Sequence, residues 1–128
     1  MGSSFEDIRE IVEDIFSNER VGICFDTCHA FVAGYDLRGK KAVENTLTKF
    51  KSALGIKRLN AVHLNDSVGT LGSHLDRHEH IGLGRIGEKG FRAILNSELV
   101  RYPMIMETPI NGKRSDFDNL MSVKAIIG

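Results

Sequence analysis

An α/β fold with a parallel sheet is predicted by three features of this 128-residue chain. Short apolar runs alternate with longer segments whose apolar residues recur at helical spacing, the pattern of βα units. Three of the runs end on a side chain able to bind a metal. Asp26 and His29 follow Val21-Gly22-Ile23-Cys24-Phe25, His63 lies in Leu59-Asn60-Ala61-Val62-His63-Leu64, and Glu107 follows Met104-Ile105-Met106. Asp26 and His63 are 37 residues apart and His63 and Glu107 are 44 apart, with room for one further short strand. That makes about four βα units. A full (β/α)8 barrel takes roughly 250 residues, so residues 1–128 read as about half of one, a partial TIM barrel.

Each element has its own signal. Phe5, Ile8, Ile11, Val12, Ile15 and Phe16 share a helical face, and Ser3 with Glu6 forms a capping-box pattern before them. A strand over about 21–25 follows. Val43, Leu47, Phe50 and Leu54 mark the next helix, with Gly55 placed to end it. The strand 59–64 comes next. Residues 66–90 hold six of the 13 glycines and read as a long loop with a short strand near 80–83. Long loops in compact domains are commonly functional. A helix over 88–96 presents Phe91, Ile94 and Leu95; a strand over 104–107 ends before Pro109. Ser115 with Asp118 caps a last helix carrying Leu120, Val123 and Ile127.

Composition excludes several classes. With 17 basic and 17 acidic residues the chain has no net charge and no polybasic run, so charge alone does not point to nucleic acid. A metal centre would change that, because divalent ions on Asp26, Asp76 and Glu107 reverse the sign of the local field. Two cysteines, Cys24 and Cys28, are too few for a disulfide scaffold, and C-x-x-x-C is not a redox or zinc-ribbon spacing. Free thiols place the chain in a reducing compartment, cytoplasm or nucleus. No stretch is apolar enough to span a membrane, and Met1-Gly2-Ser3-Ser4 is no secretory signal.

The candidate chemistry is metal-assisted. Catalytic groups at the carboxyl ends of successive parallel strands are the layout of a barrel active site. Asp, His and Glu together suit zinc, manganese or iron(II). Each residue also has a plainer role open to it. An Asp at a strand end, like Asp26, is a common helix N-cap. A His inside a strand, like His63, is commonly a hydrogen-bonded core residue; in the metal reading, either Asn65 or Asp66 is placed to orient a ligand imidazole. In Asp76-Arg77-His78-Glu79-His80, side chains two apart share one side of an extended segment. Asp76 and His78 can therefore chelate one ion while Arg77 turns the other way, toward a phosphate. By spacing, His74 and His80 qualify as well as His78. Gly82-Leu83-Gly84-Arg85-Ile86-Gly87 matches G-x-G-x-x-G but lacks the long preceding strand of a dinucleotide fold.

The motifs run in one order: Phe25-Asp26-Thr27-Cys28-His29-Ala30 through Gly34-Tyr35-Asp36-Leu37, Val62-His63-Leu64-Asn65-Asp66, Asp76-Arg77-His78, the Gly82–Gly90 loop with Phe91, and Met106-Glu107-Thr108-Pro109. In that order they resemble the endonuclease IV family of apurinic/apyrimidinic (AP) endonucleases across nearly the whole chain. The resemblance implies the C-terminal half of a xylose-isomerase-like barrel, the N-terminal half being absent. It implies a zinc-dependent enzyme of DNA base-excision repair that cuts double-stranded DNA 5′ to an abasic site. It assigns His29, Asp76 and His78 to one zinc, and Asp26, His63 and Glu107, the catalytic set, to a second that also needs a bridging Glu. The remaining ligands of the three-zinc family cluster belong to the missing half. Manganese fits the same donors.

For the half alone, weak or no catalysis is expected. Its open sheet edges call for the missing half or for self-association. Two further functions stay open, a divalent-metal sugar isomerase or epimerase on a related barrel and a non-catalytic zinc-binding remnant.

Overall fold

The computed structural model describes residues 4–15 and 22–127. The elements are α1 (Phe5–Ile15), β1 (Ile23–Asp26), α2 (Thr27–Ala33), α3 (Lys40–Ala53), β2 (Leu59–His63), β3 (Asp66–Ser67), β4 (His78–Glu79), α4 (Gly87–Leu95), β5 (Met104–Ile105) and α5 (Asp116–Ile127). Single 3-10 turns precede β2 and β5. Strands β1, β2 and β5 form a parallel sheet in that order, as the alternating pattern predicts. The register pairs Asp26 with His63 and His63 with Ile105, so the three strands end at the same level.

The helices cover one face of the sheet. Phe25 and Val62 point into a core with Phe31, Val43, Leu47, Phe50, Phe91 and Ile94. Burying each of these side chains is worth about 1.5–3 kcal/mol. Because side chains alternate along a strand, Cys24 and Asp26 project from the opposite face. Cys24 there is exposed, as is Ile105 on β5. No helix among the described residues is long and apolar enough to cross a membrane.

The caps show how local chemistry sets boundaries. The first helix is capped one residue later than expected: Ser4 Oγ accepts from Asp7 N–H at 3.0 Å and Asp7 Oδ2 from Ser4 N–H at 3.4 Å. Ser3, Phe16, Val21 and the side chain of Ile15 lie outside the described residues. Gly55 ends α3 at φ +80°, donating its N–H to the Lys51 carbonyl. Ser115 and Asp118 cap α5 reciprocally, at 3.0 and 3.1 Å.

One element is added and two expectations are corrected. Helix α2 goes beyond the sequence reading: it starts at Thr27, directly after Asp26, and buries Thr27, Cys28, Ala30, Phe31 and Val32. The further strand expected near 80–83 is not in the parallel sheet. His78–Glu79 instead pairs antiparallel with Asp66–Ser67, and the chain turns through 81–83, where Gly82 has φ +86°. Of the apolar residues expected to pack from α5, Val123 is buried, but Leu120 and Ile127 are about half exposed.

Candidate metal centre

The sheet register delivers the first cluster. Asp26 ends β1 and His63 ends β2 beside it, while Glu107 stands two residues beyond β5. His63 Nδ1 lies 2.7 Å from Glu107 Oε1 and 3.6 Å from Asp26 Oδ2. One donor atom from each of the three falls within 4.8 Å of the others. A tetrahedral zinc with ligands at ~2.0–2.1 Å has donors about 3.3 Å apart, so small side-chain shifts suffice. The chemistry fits too, with two carboxylates and one imidazole.

Asp26 caps a helix with one oxygen and faces the cluster with the other. Its Oδ1 caps α2 by accepting from His29 N–H at 2.9 Å, and its Oδ2 faces His63. The same Oδ2 lies 3.8 Å from His78 Nε2. The His78 ring is oriented from behind, where Nδ1 donates to the Glu107 carbonyl at 2.8 Å. That bond selects the tautomer whose Nε2 lone pair points into the site.

A second cluster adjoins the first. Asp76 Oδ2 stands 3.5 Å from His29 Nδ1, and Asp76 Oδ1 accepts from the Cys28 thiol at 3.5 Å. Cys28, Asp76 and His78 each bring a donor atom within 4.8 Å of the other two. All six expected ligand residues therefore converge on one rim, Asp26 and His78 joining the two groups. Cys28 is the residue that sequence reasoning passed over. Its only signal is its place in the first turn of α2, a helix that C-x-x-x-C spacing does not reveal. It is fully buried, and burial, reinforced by Asp76 and Asp26, pushes its thiol up to about 12. Burial raises the Cys24 thiol as well.

Arg77 is exposed beside the cluster, its carbonyl accepting from Val68 N–H and the Cys28 thiol. His74 is exposed with φ 59°. His80 is buried away from the donors, between Asn111 Oδ1 at 2.8 Å and Asn119 Nδ2 at 2.9 Å. Its role is to hold the 108–114 loop and α5 to the end of β4.

Asn65 and Asp66 do not orient an imidazole, as the sequence suggested. Asn65 Oδ1 accepts from Glu107 N–H at 2.7 Å and its Nδ2 faces Asp26 Oδ2 at 3.5 Å. Asp66 turns the opposite way. Its buried carboxylate accepts from the N–H groups of Ser67, Gly82, Gly84, Ile86 and Gly87 at 2.8–3.4 Å. The G-x-G-x-x-G segment is thus an anion nest whose anion is the protein's own. Burial raises the Asp66 carboxyl despite those donors. A Cβ on Gly84 would lie 2.5 Å from Asp66 Oδ1, which accounts for the central glycine.

Comparison with known proteins places these features. Residues 1–122 match the family described as xylose isomerase-like TIM barrel. A probable endonuclease 4 of Methanoculleus marisnigri is 54% identical over 100% of this chain and 46% of its own length. The apurinic-apyrimidinic endonuclease of Caenorhabditis elegans is 46% identical over 85% of this chain and 28% of its own. The crystal structure of endonuclease IV from Thermus thermophilus superposes with a TM-score of 0.82 at 37% identity, covering 99% of this chain and 45% of that one. The chain thus spans under half the length of the curated relatives it matches.

Proposed function

The chain belongs to the xylose isomerase-like TIM-barrel family, and from that premise we propose that it carries the metal-holding rim of an endonuclease IV-type AP endonuclease, as the C-terminal half of its barrel. The observation that carries this reading is the meeting of Asp26, His63 and Glu107 at one level of a parallel sheet, with Asp76 and His78 beside them. The relatives named endonuclease 4 and AP endonuclease support it. The reaction is hydrolysis of the phosphodiester 5′ to an abasic site in double-stranded DNA, in base-excision repair. Zinc is the expected metal, and manganese fits the same oxygen and imidazole donors.

The residues divide the work. Asp26, His63 and Glu107 hold one cation, and His29, Asp76 and His78 hold its neighbour. Bound divalent ions supply polarisation of the phosphate and a water whose pKa falls toward ~7. Arg77, exposed next to Asp76, is placed to contact a backbone phosphate. Cys24 and Ile105 line the uncovered face of the sheet, the surface on which the rest of the barrel, or a second copy, would pack. The two free thiols suit the cytoplasm or nucleus.

The test is a duplex with one abasic site, offered to this chain alone and to this chain joined to the N-terminal half of the M. marisnigri relative. The chain alone cleaves weakly or not at all. The joined protein cleaves 5′ to the lesion and loses activity in chelator. A folded, zinc-loaded joined protein that turns over ketoses and leaves the duplex intact would overturn the assignment.

A further inference from the structure

Asn65 is fully buried where the three strand ends meet. Its N–H donates to Thr27 Oγ1 at 2.9 Å, and the Thr27 hydroxyl donates back to the Asn65 carbonyl at 2.6 Å. This clasp joins the segment after β2 to the residue after Asp26. The side chain completes the connection, with Oδ1 on the Glu107 N–H and Nδ2 toward Asp26 Oδ2. Asp26 and Glu107 thus each meet the Asn65 side chain, and His63 lies two residues before Asn65 in the same segment.

The chemistry of this place suits an amide. The Glu107 amide can only donate and the Asp26 carboxylate can only accept. One group must therefore offer an acceptor on one side and a donor on the other. A carboxylate at residue 65 would set oxygen against oxygen at Asp26, and an aliphatic side chain would leave the Glu107 N–H without its partner. Asp26 also has little freedom of its own, because its Oδ1 is committed to capping α2. The Asn65 amide thus acts on the one oxygen that remains turned to the cluster.

We propose that Asn65 is a positioning residue that sets the gap between the Asp26 and Glu107 carboxylates and so tunes the affinity and geometry of the cation they share. The proposal rests on the reading that these residues bind a divalent metal. A core asparagine with a merely structural role would stabilise the fold without touching the ligands.

The experiment is a cobalt(II) titration of the full chain, read by chelator competition and by the visible d–d spectrum. It is paired with amide hydrogen exchange at Glu107 in the metal-free protein. Asn65→Ala should bind cobalt about ten- to a hundredfold more weakly than the parent, with an altered spectrum and a faster-exchanging Glu107 amide. If Asn65→Ala does not fold, Asn65→Asp keeps the volume and the acceptor. It should retain Glu107 protection and change the spectrum through its charge against Asp26. Affinity and spectrum equal to the parent in the folded variant would overturn the proposal while leaving the metal reading intact. A parent that takes no cobalt, or a His63→Ala variant that takes it as well as the parent, would overturn both.

Discussion

Two neighbouring residues just beyond β2, Asn65 and Asp66, show how differently buried polar groups can be used. Asn65 faces the strand-end rim, where the carboxylates of Asp26 and Glu107 keep oxygens turned to the site. Asp66 faces the glycine-rich loop, where five backbone N–H groups surround one carboxylate. The first region leaves anionic charge for something outside the chain to neutralise, while the second consumes its charge internally. The difference teaches that stability and function can be separated one residue apart. Loss of Asp66 should unfold, and loss of a rim ligand should disarm.

The largest effect is expected on the loop side. Asp66→Ala leaves several buried donors without a partner and should cost at least about 3 kcal/mol in denaturant unfolding. Gly84→Ala, which drives a methyl group against Asp66, should approach it. A change below about 1 kcal/mol for Asp66→Ala would show that the nest is not what holds the segment. On the rim side, His63→Ala should alter unfolding by no more than about 1 kcal/mol, yet weaken zinc binding by about a hundredfold or more in chelator competition. Equal losses of stability in the two variants would erase the contrast.

Asp26 sharpens it further, because one side chain serves both purposes. Asn is as good an N-cap as Asp. Asp26→Asn should therefore keep stability to within about 0.5 kcal/mol while losing metal affinity. Asp26→Ala should lose both, with about 1 kcal/mol from the cap. If Asp26→Asn binds zinc like the parent, Oδ2 is not a ligand.

The smallest effect concerns the thiols of the metal-free protein. Cys28 is buried and its thiol pushed up to about 12, so in the native state it keeps its proton where an unfolded thiol has lost it. Native protein thus holds more protons than unfolded, and the stability from this group falls as pH rises from about 8.5 toward 12. Alkylation at about pH 8, just below the ordinary thiol range, should label exposed Cys24 well before Cys28, and equal rates would contradict the burial.

Much of this could be read from the chain. The strands of the parallel sheet announce themselves through apolar runs, α3 and α4 through their stripes, and Asp26, His63 and Glu107 through their places at or just beyond strand ends. What escaped was set by contacts rather than pattern. Helix α2 is short and nearly all buried, so it shows no polar face to betray its period. The β3–β4 ribbon is two residues wide and forms because Asp66 and its loop fix the segment, not because 78–79 favours a strand. The G-x-G-x-x-G run was visible, but its anion lay sixteen residues upstream, at Asp66. Leu120 and Ile127 have helical spacing, yet spacing cannot say which side of α5 has a neighbour.

The central claim is that the strand-end donors share divalent cations. It is tested most directly by crystals grown with zinc and measured at the zinc absorption edge. The account predicts an anomalous peak within bonding distance of Asp26, His63 and Glu107, with a second beside Asp76 and His78. Zinc-soaked crystals that diffract well and show no such density at this rim would contradict it.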